Sequence, residues 1–145
     1  MPPSSFETLH RVSYAECTAG NHIYYGRYLE LLEFARGEFF RHLGQSFLQL
    51  QLDDAIFPVI ESHLHYKAAA RYDDLLQIEL WMVELAGIRL SFEYEIRRQQ
   101  TVILQGTTRH ICTSLVDKPR RLPEVLVERL QPYLRPNKTQ LPEKN

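Results

Sequence analysis

The sequence predicts an α+β domain, in which one long amphipathic helix precedes a run of strands that pair antiparallel. Three observations carry that prediction. Between residues 25 and 43, Tyr28, Leu32, Ala35, Phe39 and Leu43 recur at helical spacing, widened by Leu31, while Arg27, Glu30 and Arg41 fall on the opposite side. Between residues 88 and 97 the period is two instead: Ile88, Leu90, Phe92, Tyr94 and Ile96 alternate with Arg89, Ser91, Glu93, Glu95 and Arg97, as a strand with one wet face requires. Glycines punctuate both patterns, Gly44 where the helix stops and Gly87 between two strands.

The remaining elements follow in chain order. Phe6 to Tyr14 reads as a first strand, and the Thr18-Ala19-Gly20-Asn21 segment as a turn. The helix is expected from about Tyr25 to Leu43, with an apolar face broad enough to be buried against a sheet. Residues 45–57 read as a short helix or loop. Further strands are expected over Ile56 to Ala68, Leu75 to Leu85, Ile88 to Arg97, and Val102 to Val116. Pro123 then opens a short helix through Leu134. Residues 1–5 read as a frayed end, and PNKTQLPEKN from Pro136 has the composition of disorder, so residues 1–135 are expected to form a single domain and residues 136–145 a disordered tail.

Composition narrows the functional classes. A formal net charge of -1 and no Lys/Arg block longer than two residues leave no field to draw in nucleic acid or an anionic membrane. No apolar run approaches the ~20 residues of a membrane span. The N-terminal MPPSSFETLH has neither a basic nor an apolar leader region, so no secretory signal is expected. Cys17 and Cys112 are too few for a disulfide framework and lack zinc-knuckle spacing. A cytoplasmic enzyme or binding module, without metal or cofactor, is the expectation that remains.

Three stretches carry a resemblance. Residues 14–29 read YAECTAGNHIYYGRYL and continue as EFAR at 33–36, residues 66–74 read YKAAARYDD, and residues 117–123 read DKPRRLP. In this order they are similar to the motifs of the 4-hydroxybenzoyl-CoA thioesterase family and its YbgC-type acyl-CoA branch. There the first motif is roughly Y-x-D-T-D-A-x-G-x-V-Y-x-x-x-Y-L followed by E-x-A-R, the second Y-x-A-P-A-R-x-D-D, and the third a longer D-x-x-x-x-K-P-R-x-L-P. The resemblance implies a hot-dog fold, its mostly antiparallel sheet wrapped around one long central helix. It also implies a homodimer or homotetramer with sheets paired edge to edge and a substrate tunnel at the dimer interface. The implied reaction is hydrolysis of an acyl-CoA or acyl-carrier-protein thioester. The chain departs from the pattern where Thr18 stands at the usual catalytic aspartate and Tyr25 at a histidine common in the branch. Threonine is a poor base without an activating partner. A non-catalytic acyl-thioester-binding protein of the same fold is therefore the alternative, and a hot-dog dehydratase a third reading.

By that correspondence the Tyr25 backbone N–H faces the thioester carbonyl, and the positive end of a helix suits a developing oxyanion. Thr18 would hold a water or the carbonyl. Glu16, at the first acid of the family's pair, either activates water beside Thr18 on an extended segment or caps the loop. His22 either moves protons near pH 7 or makes a structural hydrogen bond. Arg71 either holds a CoA phosphate or pairs with Asp73 or Asp74. Tyr24 and Tyr28 are candidate substrate contacts, with Tyr28 and Phe39 also reading as core. Glu33 either pairs with Arg36 one turn on or enters the site. Glu61, His63 and His65 share a strand face, which suits solvent or an interface better than zinc.

Overall fold

The computed structural model describes residues 4–135. The expected tail from Pro136 and the first three residues of the expected frayed end lie outside them. Ser4 and Ser5 are tied down rather than frayed: Ser4 N–H donates to Pro132 O at 2.9 Å and Ser5 Oγ to Glu79 Oε2 at 2.6 Å.

The elements run β1 (Phe6–Arg11), a 3-10 turn (Tyr14–Glu16), α1 (Arg27–His42), α2 (Phe47–Leu52), β2 (Val59–Tyr66), β3 (Leu75–Ala86), β4 (Arg89–Arg98), β5 (Thr101–Ile111), α3 (Glu124–Leu130) and a closing 3-10 turn (Gln131–Tyr133). The five strands form a single sheet in the order β1-β3-β4-β5-β2, antiparallel at every pairing. β2 therefore crosses to the edge beside β5, and its outer side is unpaired among the described residues.

The alternation read in β4 sets the core. Leu90, Phe92, Tyr94 and Ile96 are buried, facing inward with Leu76, Ile78, Leu80 and Met82 of β3. Against them α1, 16 residues long, buries Tyr28, Leu31, Leu32, Ala35, Phe39 and Phe40. Each of these buried Leu and Phe side chains contributes roughly 1.5–3 kcal/mol of hydrophobic stabilisation. Gly44 follows the helix with φ +77°, the left-handed conformation that a Cβ disfavours. Ser91, expected on the wet face, is only 2% exposed and donates to Glu84 Oε1 at 2.9 Å.

Element ends move for identifiable reasons. β1 stops at Arg11 rather than reaching Tyr14, because Ser13 N–H turns to Glu16 Oε1 at 2.8 Å and a 3-10 turn starts. α1 starts at Arg27, with Gly26 as its N-cap, leaving Tyr25 in the entry turn. β2 starts at Val59 because Pro58 has no N–H for a ladder. β5 stops at Ile111, beyond which Thr113 makes isolated bridges to Ile56 and Pro119. α3 stops at Leu130, since Pro132 cannot donate back into the helix.

Candidate active site

The segment between the first 3-10 turn and α1 is a closed turn. Thr18 N–H donates to His22 O at 2.9 Å, Asn21 N–H donates to Thr18 O at 3.0 Å, and Asn21 takes φ 60°. The second motif docks onto this turn. Arg71 Nη1 donates to Asn21 O and Tyr72 N–H to Asn21 Oδ1, each at 3.3 Å, while Ile23 N–H reaches Ala70 O at 2.9 Å. Tyr24 N–H donates to Glu16 O at 3.1 Å and Arg27 N–H to Tyr24 O at 2.9 Å. Between those two, the N–H groups of Tyr25 and Gly26 have no hydrogen-bond acceptor among the described residues. They stand at the N-terminal end of α1, where the helix dipole is positive.

Tyr25 borders an open cavity of about 320 Å³ lined also by Thr18, His22, Ile23, Tyr24, Tyr28, Tyr66, Lys67, Ala68 and Ala69. Five of the candidates read from sequence, Thr18, His22, Tyr24, Tyr25 and Tyr28, thus share one cavity. Tyr66 and Lys67, not singled out beforehand, join them; the signal was their place at the head of the second motif. Tyr66 Oη donates to Tyr25 O at 3.3 Å, and its ring meets those of Tyr25 and Tyr28 edge-on at 6.4 and 5.5 Å. Burial pushes the Tyr28 and Tyr66 hydroxyls above the ordinary tyrosine value, so both remain neutral donors. Thr18 Oγ1 donates to His22 O at 3.3 Å, which leaves its lone pairs free. Among the described residues no aspartate or glutamate lines this cavity.

Glu16 and Arg71 lie outside it. Glu16 closes the 3-10 turn instead of lying extended beside Thr18. Its carboxylate accepts from Ser13 N–H at 2.8 Å and from His10 Nε2 at 3.0 Å to each oxygen. Partial burial pushes the Glu16 carboxyl up, but the Ser13 amide and the His10 ring outweigh it and hold the group below its usual value. Arg71 makes neither expected ion pair. Asp73 pairs with Arg11 at 3.8 Å and Asp74 with Arg98 at 2.8 Å, leaving the Arg71 guanidinium on the Asn21 carbonyl.

A second cavity, about 180 Å³, opens towards the other end of α1, lined by Glu33, Arg36 and Phe40 with Phe47, Leu50, Gln51, Ala55, Ile56, Phe57, Phe92 and His110. Arg36 does not pair with Glu33 but donates from Nη1 to Tyr94 Oη at 3.0 Å. Tyr94 Oη meets Thr108 Oγ1 at 2.6 Å, Thr108 Oγ1 meets His110 Nε2 at 2.9 Å, and His110 Nδ1 meets Phe57 O at 3.0 Å. Because a carbonyl only accepts, Nδ1 carries the proton and Nε2 accepts. Every bond in the chain therefore points from Arg36 towards Phe57. Burial first, then the Arg36 charge, pushes His110 down to about 4, so its ring is neutral at physiological pH.

Comparison with known proteins decides the family. The thioesterase superfamily profile, 4HBT, matches residues 20–104. The chain belongs to the thioesterase superfamily. It is 33% identical over 108 residues to the acyl-CoA thioesterase YbgC of Haemophilus influenzae, covering 72% of this chain and 78% of that one. It is 32% identical over 119 residues to the acyl-CoA thioester hydrolase YbgC of Escherichia coli O6:H1, covering 81% and 89%. A solved structure of a hypothetical protein from Thermus thermophilus superposes with TM-score 0.84 at 28% identity, over 90% of this chain and 98% of that one. The α+β fold is the superfamily's hot-dog fold.

In this thioesterase-superfamily chain, Glu61, His63 and His65 stand outside both cavities just described, on the exposed β2 strand. His63 Nε2 lies 3.1 Å from Glu61 Oε2, and Arg109 Nη1 pairs with Glu61 Oε1 at 3.0 Å. Among the described residues no group of His, Cys, Asp and Glu side chains is placed to hold a metal ion, and no helix is long and apolar enough to cross a membrane.

Proposed function

We propose that this chain is a thioester hydrolase acting on acyl-CoA or acyl-carrier-protein substrates in the cytoplasm, with α1 as the central helix around which the sheet curls. The observation that carries the reading is the N–H of Tyr25, unpartnered among the described residues, at the start of α1 beside a cavity that Tyr25 lines with Thr18, His22 and Tyr28. The thioester carbonyl oxygen accepts from that N–H, joined by the N–H of Gly26. As water adds to the carbonyl carbon, the negative charge developing on oxygen meets two fixed donors and the positive end of a helix. Thr18 positions the water through its free lone pairs, and His22 is placed to move a proton. Tyr24 and Tyr28 contact the acyl thioester, while Lys67 and Arg71 face the CoA phosphates. Glu16 holds the loop through Ser13 and His10.

Purified protein offered short, long and aromatic acyl-CoAs and carrier-protein thioesters releases free thiol from at least one class. Thiol release no faster than with an unrelated protein, across the whole set, would overturn the assignment. One observation favours a second reading, binding without hydrolysis: among the described residues no carboxylate lines the cavity beside Tyr25. That reading requires acyl-CoA to raise the melting temperature while no thiol appears.

A further inference from the structure

The amides of Tyr25 and Gly26 lack acceptors among the described residues, and what each can do depends on how firmly its peptide is held. The Gly26 N–H shares one planar trans peptide with the Tyr25 carbonyl, so the two point in opposite directions. Whatever holds the carbonyl therefore aims the amide. Tyr25 O accepts from Tyr28 N–H, which turns the carbonyl along α1 and leaves the Gly26 N–H pointing back out of the first turn. At 3.3 Å that bond is long for an N–H donor, too long to fix the peptide well. A second donor shares the carbonyl: the Tyr66 hydroxyl, also at 3.3 Å.

Tyr66 is placed for this by β2. It is the last residue of the strand, in register with the buried Leu104 of β5, and the next N–H, of Lys67, donates to Ile103 O at 2.8 Å. Its ring stands edge-on to both Tyr28 and Tyr25, so packing carries the hydroxyl to a carbonyl 41 residues away in the chain. Among the described residues that carbonyl is its one hydrogen-bond partner. The Tyr24 ring closes on the same peptide, so near Gly26 that a Cβ there would stand 3.0 Å from Cε2 and force the ring aside.

A donor on a carbonyl acts on the amide of the same peptide in two ways. It restrains the peptide against rotation, and it draws electron density towards oxygen, which makes the N–H more positive. Both favour negative charge on an acceptor at that N–H, and a dipole fixed beforehand needs no reorganisation during the reaction.

We propose that Tyr66 is a positioning residue, its hydroxyl orienting and polarising the Tyr25–Gly26 peptide so that the Gly26 N–H meets the developing oxyanion. This rests on the thioester-hydrolase reading. Tyr66 acts through the peptide alone: its phenol keeps its proton and forms no bond to substrate or water.

Tyr66→Phe deletes the hydroxyl and keeps the ring with its edge contacts. The side chain is half-exposed, so unfolding free energy should change by no more than about 1 kcal/mol. Losing an oxyanion donor outright costs about 100- to 1,000-fold, and loosening one of two is expected to lower kcat about tenfold with KM within about twofold. The second readout is the peptide itself. In isotopically labelled protein the Tyr25 carbonyl carbon and the Gly26 amide nitrogen are expected to move upfield in Tyr66→Phe, because the peptide loses a polarising donor while the neighbouring ring stays. Wild-type kcat in Tyr66→Phe, a loss confined to KM, or unmoved Tyr25 and Gly26 resonances would each overturn the positioning role and leave hydrolysis standing. A wild type that releases no thiol from any thioester overturns the hydrolase reading first, and the positioning role falls with it.

Discussion

The two ends of β2 solve opposite problems with similar residue types. At the Tyr66 end two backbone N–H groups have no partner among the described residues, and Tyr24, Tyr25 and Tyr66 are 49–63% exposed. At the Val59 end the polar chain from Arg36 to Phe57 closes on itself, and no buried side-chain nitrogen or oxygen among the described residues lacks a partner. Unmet hydrogen bonds are expensive in a core and useful at a surface that receives a ligand. The contrast separates residues that hold the fold from those free to meet a substrate. Glu33 is the exception, an exposed carboxylate beside the closed chain with no side-chain partner among the described residues.

Mutations should separate the ends by stability. The largest effect is expected from Phe40→Ala, which empties a side chain 1% exposed at the Val59 end and costs about 3–5 kcal/mol of unfolding free energy. Tyr24→Ala, on a side chain 50% exposed at the other end, should stay within about 0.5 kcal/mol. Denaturant midpoints check both, and equal losses would erase the contrast.

Acid should act on the Val59 end through His110. The unfolded chain binds a proton near 6.5 and the folded chain only near 4, so the unfolded state holds more protons in between. This contribution to stability is fully present above pH 6.5 and falls as pH drops towards 4, by on the order of 3 kcal/mol. Unfolding curves across that window should show the loss in wild type and not in His110→Gln. Tyr94→Phe, which removes the link between Arg36 and Thr108, should cost about 1–3 kcal/mol, and an unchanged midpoint would mean the chain of bonds contributes little. Glu16→Gln removes the charge held by both the Ser13 amide and the His10 ring and should cost about 1 kcal/mol while leaving kcat within about twofold. A hundredfold fall in kcat would instead return Glu16 to the role of base.

What could be read from the sequence was what local periodicity encodes. The stripe from Tyr28 to Phe39, the alternation of β4 and the Gly44 stop all depend on near neighbours, and all appear in the fold. Glu16 reads either as a neighbour of Thr18 on an extended segment or as a cap for the loop, and the bond from Ser13 N–H to its carboxylate realises the cap. The Arg36–Tyr94 bond joins residues 58 apart in the chain, and no local pattern encodes it. Tyr66 reaches the Tyr25 carbonyl only because β2 crosses to the sheet edge. The free amides follow from where α1 starts, two residues later than its apolar pattern suggested.

Those amides are the centre of the account, and deleting one tests it most directly. Tyr25→Pro removes an N–H that makes no bond within the described chain. With folding verified by thermal melt, thiol release from the wild type's best acyl-CoA should fall about 100- to 1,000-fold in kcat, as for a lost oxyanion donor. A folded Tyr25→Pro protein with wild-type kcat would contradict the claim that the carbonyl is activated at the start of α1.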